Sequence, residues 1–339
     1  MEGVQMGYAP ASAEFDAVLR EQLLERRDKL QEARPRIGFD PDLTRLLNEV
    51  DAALARFETG TFGLCEACHD PIESERLISD PLIKLCLGDL TQKELDRIQD
   101  DLQLAAEIQK GLLPKRDDLS CEFWSVDLAY QPAGVVSGDY VDVIRQNGEL
   151  YFILGDVSGK GMAASILMSN LHAMFRALIP LNLPLCDLVQ RANSLFCEST
   201  LANQYATLIC GKLNGKGELE FCNAGHLPPI IVGESGTVQL ESTGLPLGMF
   251  CDSSFISSGA KLNPGETLLL FSDGVTEAND EAGDEFGVSR LIESINGSLG
   301  GEPTDLLQNC VSSVSGFRGN AVRNDDLTMM ALKYTGSGN

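Results

Sequence analysis

The period of the hydrophobic positions changes several times along this 339-residue chain, and each change marks a new kind of element. From Glu14 to about Gln31, Phe15, Val18, Leu19, Leu23 and Leu30 approximate a helical stripe, which Arg34-Pro35-Arg36-Ile37-Gly38 breaks. Asp40-Pro41 predicts a restart, with the aspartate as N-cap and the proline in the first helical position. Leu43, Leu46, Leu47, Val50, Leu54 and Phe57 then recur at steps of three and four until Gly60 stops the run. Residues 1–60 therefore read as an antiparallel helical hairpin. Between Leu90 and Leu113 the pattern becomes a heptad seam of Leu95, Ile98, Leu102, Ala105, Gln109 and Leu112, closed by Pro114. Two uses fit a linker helix over 91–114: a coiled coil that makes a homodimer, or a helix packed on its own domain.

After Pro114 the pattern is strand-rich, then helical, then strand-rich again. Phe123 to Gln131 and Tyr140 to Arg145 read as strands, and Gln146-Asn147-Gly148-Glu149 is a hairpin turn leading into Tyr151 to Gly155. Gly161 to Ile179 and Leu185 to Leu201 read as helices. Tyr205 to Leu213 and Glu218 to Asn223 form a second hairpin about Asn214-Gly215-Lys216-Gly217, and Thr267 to Phe271 and Leu327 to Leu332 are apolar, buried-strand runs. Strands before and after paired helices predict a layered α+β sandwich rather than alternating βαβ units.

Composition adds charge to this picture. The formal net charge is −24, with 27 acidic against 11 basic residues over 117–339. A field of that sign disfavours direct contact with nucleic acid or an anionic membrane and attracts cations. The carboxylates also have a pattern: Asp139, Asp156, Asp273 and Asp325 each stand at a turn-like boundary beside a strand-like run, in Ser137-Gly138-Asp139, Gly155-Asp156, Ser272-Asp273-Gly274 and Asn324-Asp325-Asp326. Gly-Asp and Asp-Gly are also ordinary turn dipeptides. A carboxylate at the mouth of a buried strand nevertheless needs a partner, and oxygen ligands at such positions suit hard divalent cations. The glycines of Gly155-Asp156-Val157-Ser158-Gly159-Lys160-Gly161 do not make a nucleotide loop, because the spacing is one residue short of G-x-x-x-x-G-K-[ST] and Gly161 replaces the hydroxyl. A tight turn that offers Asp156 and the Val157 carbonyl to an ion explains them better. The chain has no signal-peptide pattern at its start and no uncharged run of eighteen apolar residues, and its ten cysteines are mostly scattered as reduced thiols are; the expectation is a cytoplasmic protein that does not enter a membrane.

The one cysteine cluster is Cys65-Glu66-Ala67-Cys68 followed by Cys86-Leu87-Gly88-Asp89. Two C-x-x-C knuckles would bind a tetrahedral zinc ion; here Asp89 stands in for the fourth thiolate, with His69 a less well placed substitute. Two readings stay open, a bound Zn²⁺ on Cys65, Cys68, Cys86 and Asp89, or a small domain that keeps the shape without the ion. Residues 14–90, with the junction Ala52 to Gly63 and Pro71-Ile72, Glu75-Arg76-Leu77 and Pro81, resemble the DksA/TraR zinc-finger proteins. That resemblance implies a finger over 61–90 and RNA polymerase as a partner, met through acidic residues at the hairpin tip. Asp40 and Asp42 are the carboxylates there, in a tip that is short and mixed in charge.

A second resemblance covers about residues 105–336. Ser137-Gly138-Asp139-Tyr140, the Gly155–Gly161 run, Asn223-Ala224-Gly225-His226-Leu227-Pro228-Pro229, Gly244-Leu245-Pro246-Leu247-Gly248, Ser272-Asp273-Gly274-Val275-Thr276-Glu277 and Asp325-Asp326-Leu327-Thr328 look like the ordered motifs of the SpoIIE/RsbU-type serine/threonine phosphatases of the metal-dependent (PPM) superfamily. Ala106 to Pro114 looks like the regulatory helix that precedes such domains. The resemblance implies an αββα sandwich over 115–336 and two Mn²⁺ or Mg²⁺ ions held by Asp139, Asp156, the Val157 carbonyl, Asp273 and Asp325, with Asp326 the less favoured of the adjacent pair. It further implies hydrolysis of phosphoserine or phosphothreonine on a protein substrate, such as an anti-sigma-factor antagonist, by metal-activated water and without a protein nucleophile. His226 is open between a general acid and a ring that packs within its own loop.

Overall fold

The computed structural model describes residues 18–24, 26–28, 30–31, 41–89, 92–115, 119, 122–200, 204–241 and 244–336. These fall into two compact units, divided between Asp100 and Asp101. In the first unit, α1 is helical at residues 18–24, 26–28 and 30–31, α2 spans Pro41–Thr59 and α3 spans Ser74–Ser79. Leu23 of α1 packs on Val50, Ala53 and Leu54 of α2, which makes the helical pair. Leu19, Cys65, Ile72, Leu77 and Cys86 form a second small core under the cysteine loops. The hairpin tip with Asp40 lies outside the described residues, as does the side chain of Asp42.

The second unit is led by α4 (Gln92–Leu112), which begins before the division. Among the described residues ten strands follow, β1 (Trp124–Gln131), β2 (Asp139–Gln146), β3 (Glu149–Val157), β4 (Ala206–Leu213), β5 (Glu218–Ala224), β6 (Ile230–Gly233), β7 (Gly236–Gln239), β8 (Ser258–Lys261), β9 (Thr267–Phe271) and β10 (Leu327–Tyr334). Helices α5 (Gly161–Leu178) and α6 (Leu185–Ser199) separate β3 from β4, while α7 (Asp273–Thr276), α8 (Gly287–Asn296) and α9 (Pro303–Arg318) separate β9 from β10. The strands form two antiparallel sheets, in the orders β1-β10-β9-β6-β7 and β2-β3-β4-β5-β8.

Side-chain alternation along a strand assigns the two faces of each sheet. Val141, Val143, Phe152, Leu154 and Ile209 meet Leu268, Leu270, Met330 and Leu332 between the sheets. The intervening residues Tyr140, Tyr151, Ile153, Leu208 and Cys210 face α5 and α6, and Leu269, Phe271, Met329 and Ala331 face α8 and α9. The result is the αββα sandwich that the resemblance implies. It also explains why β3, β9 and β10 read as unbroken apolar runs, since strands covered on both faces have no solvent side. Asn147 and Gly148 have φ of 53° and 81°, the left-handed pair that a two-residue hairpin turn needs. Helix α5 and the turn after it, Gly161–Leu181, are long and apolar enough by composition to cross a membrane; in this fold Ala164, Leu167, Met168, Leu171 and Phe175 cover a sheet.

Two sequence expectations need correction. The heptad seam is not uniform, because Gln109 is buried and exchanges two hydrogen bonds with the Ser137 backbone (2.7 and 2.9 Å), and Leu112 packs on the α5/α6 core. Nor are all ten cysteines thiols: Cys197 of α6 and Cys251 form a disulfide, with Cα atoms 5.8 Å apart. They are 54 residues apart in sequence, and no pattern pairs them. The Asn193 amide joins them by donating to the Phe250 and Cys251 carbonyls and accepting from the Gly248 N–H, which folds that loop over α6.

One buried charge fixes a helix to its sheet. Asp142 is fully buried on the helical side of β2, where the Arg176 guanidinium of α5 donates to both its oxygens at 2.8 and 2.6 Å and Tyr140 and the Val143 N–H add further bonds. Removing one partner of such a pair leaves an uncompensated charge. Arg176→Met is therefore expected to lower unfolding free energy by about 3–5 kcal/mol, read as a shift in the urea midpoint.

Candidate metal centre

The pleat that builds the core also delivers the carboxylates. Asp139 continues the inward-facing series of Val141 and Val143, and Asp156 continues that of Phe152 and Leu154, so both face the space between the sheets. They are direct partners in the β2–β3 ladder. Asp273 opens α7 straight after β9, and Asp325 and Asp326 immediately precede β10. Four chain segments thus bring their aspartates to one end of the sandwich.

The electrostatics of this grouping are costly. Burial first, then the neighbouring Asp156, raises the Asp139 carboxyl well above its usual range. Burial raises Asp156 to about 7, helped by Asp273, Asp325 and Asp326, with Lys160 opposing. Burial and Asp325 raise Asp273 in the same sense. Charged carboxylates held together in this way call for cations.

The adjacent pair Asp325-Asp326 divides its work. Asp326 accepts the Ala133 N–H at 2.7 Å on one oxygen and the Gly138 N–H at 2.9 Å on the other, so both its oxygens hold the loop that leads into Asp139. Asp325 accepts Lys160 Nζ at 2.9 Å and remains one-third exposed. Two glycines make the close approach possible. A Cβ on Gly274 would collide with the Asp326 carbonyl, and one on Gly138 would stand 3.2 Å from the Val157 carbonyl and 3.5 Å from Asp156 Oδ1. The space beside Gly138 is therefore lined by the oxygens of Val157 and Asp156.

Sequence reasoning missed two supports. Thr328, inward-facing on β10, donates its hydroxyl to Asp139 Oδ2 across the sandwich, and the buried Ser272 accepts the Thr328 N–H at 3.0 Å. The signal was there, since Thr328 is a hydroxyl within an otherwise apolar strand run and Ser272 directly follows another. His226 is buried away from solvent; its N–H bonds Asn223 Oδ1 at 2.8 Å and its Nδ1 lies 2.9 Å from the Thr207 hydroxyl. These bonds tie the ring to Asn223 in its own loop and to Thr207 of β4.

The cysteines form a separate constellation. The Sγ atoms of Cys65, Cys68 and Cys86 all lie within 4.8 Å of one another, and Cys68 and Cys86 are 3.6 Å apart. Thiolates sharing one tetrahedral zinc stand about 3.8 Å apart, from a Zn–S distance of about 2.3 Å. His69, with φ of 63°, turns its Nδ1 to the Cys65 carbonyl at 3.2 Å, and the Asp89 side chain lies outside the described residues. Glu73 braces the second loop by accepting the Leu87 N–H at 3.0 Å. Among the described residues this trio is the group tight enough for a single ion; the aspartates are spread more widely.

The two-sheet αββα layout, with aspartates gathered at one end of the space between its sheets, is the arrangement that the motif series implies. The sequence profile of the Stage II sporulation protein E (SpoIIE) family matches residues 146–335, and the chain belongs to that family. It is 26% identical to the phosphoserine phosphatase RsbU of Bacillus subtilis, over 70% of each chain. It is 28% identical to Protein IcfG of Synechocystis over 74% of this chain, and spans 44% of that longer protein. Among solved structures, the fold resembles the SiaA-PP2C domain of Pseudomonas aeruginosa (TM-score 0.62, 18% identity, 72% of this chain and 100% of that one). It also resembles the RsbU and RsbW domains of Rv1364c from Mycobacterium tuberculosis (TM-score 0.55, 23% identity, 64% of this chain and 62% of that one).

His226 carries a pH consequence. Burial lowers its pKa to about 4, below the value of about 6.5 in an unfolded chain. Between those values the unfolded state binds the extra proton, so stability is lost as pH falls. His226→Gln is expected to remove about 2 kcal/mol of the loss between pH 8 and pH 5, measured by urea denaturation of both proteins at each pH.

Proposed function

We propose that the chain is a metal-dependent protein serine/threonine phosphatase that acts on a phosphorylated signalling protein. The observation that carries this reading is the gathering of Asp139, Asp156, Asp273 and Asp325 at one end of the inter-sheet space, with raised carboxyl pKa values at the first three. The donor set fits two hard cations, Mn²⁺ or Mg²⁺: four carboxylates and the Val157 carbonyl, with Asp326 assigned to the loop rather than to an ion. When bound, such ions supply Lewis-acid activation of water and neutralise the charge on phosphoryl oxygens. The protein's part is to position. Thr328 orients Asp139, Asp326 fixes the Ala133–Gly138 loop, and Gly138 and Gly274 let backbone approach carboxylate. The names of RsbU and RsbP, phosphoserine phosphatases of Bacillus subtilis, support a phosphoserine substrate, and an anti-sigma-factor antagonist is the kind of phosphoprotein proposed.

Turnover of p-nitrophenyl phosphate or a phosphoserine peptide should require Mn²⁺ or Mg²⁺ and stop in EDTA. Asp156→Asn and Asp273→Asn are each expected to cost more than about 100-fold, beyond the range for residues that only orient ligands. Full Mn²⁺-dependent turnover in either variant would sink the mechanism.

The first unit is proposed as a regulatory module with a structural Zn²⁺ on Cys65, Cys68 and Cys86, Asp89 closing the tetrahedron. The spacing of the three thiols supports it. RNA polymerase is not part of the proposal. Protein purified without chelator should hold about one zinc per chain by mass spectrometry, and Cys86→Ser should release it; a wild-type chain without zinc sides with the metal-free finger.

A further inference from the structure

Lys160 is placed where a cation belongs. It lies between Gly159 and Gly161, whose φ values are 93° and 72° and which have nothing within 4 Å of a would-be Cβ. Its Nζ is 2.9 Å from Asp325 Oδ2 and also bonds the Asn324 carbonyl. The same ammonium offsets the charges of Asp156, Asp273 and Glu277. Arg323 is spent elsewhere, on the Gln131 side chain and the Gln131 and Pro132 carbonyls.

We infer that Lys160 is a tethered competitor for Asp325, a built-in monovalent cation that must leave this carboxylate before a divalent ion can take it. The inference rests on the metal reading given above. Three features make the contact displaceable. The lysine side chain is 63% exposed and Asp325 34%, and ion pairs this wet are weak. An ammonium on a four-carbon stem is strongly hydrated, so solvent receives it readily. The flanking glycines have open surroundings, which leaves the backbone room to carry the side chain away. Until an ion arrives, the lysine is the cationic partner of Asp325 Oδ2, while Oδ1 accepts the Asp326 N–H at 2.9 Å. Ion affinity at this corner is then set by an exchange of cations rather than by the carboxylates alone.

Equilibrium binding of Mn²⁺ to the full chain, read from the electron paramagnetic resonance signal of unbound Mn²⁺, tests this without turnover. Lys160→Gln should tighten binding about two- to fivefold, the size expected for releasing an exposed ion pair. In an Asp325→Asn background the same change should give less than half that gain, because the lysine has lost the group through which it competes and keeps only its longer-range offset of Asp156 and Asp273. Unchanged or weaker binding in Lys160→Gln overturns the inference, and so does an equal gain in the Asp325→Asn background, which would mark a general charge effect. A wild-type chain that binds no Mn²⁺ overturns the metal reading itself, and with it this exchange.

Discussion

Everything at the cleft follows from one unfavourable contact, the placing of Asp139 and Asp156 opposite each other in an antiparallel ladder with little water to screen them. Like charges directly across a strand pair destabilise a sheet. The surrounding structure answers that cost piece by piece. The Thr328 hydroxyl meets one Asp139 oxygen and Lys160 counters the field from Asp325. What these bonds leave unbalanced is negative charge, and the site's chemistry starts from that surplus. A second buried aspartate, Asp142, shows the contrast: on the other face of the same strand it has a bidentate arginine and is wholly structural.

Much of this was legible in the sequence, for a physical reason. A period of two and runs of apolar residues record burial directly, so β3, β9 and β10 and the hairpin at Asn147-Gly148 could be read from the chain, and with them the α+β sandwich. The strand ends were less legible. β2 and β3 reach further than their apolar cores, because ladder hydrogen bonds continue through Asp139 and Asp156 whatever their side chains. The four aspartates drew attention as turn residues, yet two of them are strand residues that oppose each other.

Other features were beyond the sequence because they depend on partners far along the chain. Nothing in Asp325-Asp326 distinguishes two equal carboxylates; only the fold shows one bonded to backbone N–H groups almost two hundred residues away. Gln109 stands among the heptad positions in the sequence, whereas in the fold its amide matches the Ser137 backbone donor for acceptor. Cys197 and Cys251 meet through a loop whose path is set by Asn193. The cysteine trio is the converse case, since knuckle spacing is local and the thiols converge within 4.8 Å.

The bonds that tie Ala133 and Gly138 to Asp326, and Asp139 to Thr328, span sequence separations of 193, 188 and 189 residues. Contacts so distant are the slowest to form, because loop closure must come first. Thr328 belongs to β10, which lies between β1 and β9 within its sheet, and Asp326 immediately precedes that strand. β2, β3 and α5 are close in sequence, whereas the clamp on the Asp139 loop and Asp325 both come from the segment around β10. The acidic cleft thus joins segments from both ends of the domain, and it is complete only where residues 133–139 and 325–328 are held together.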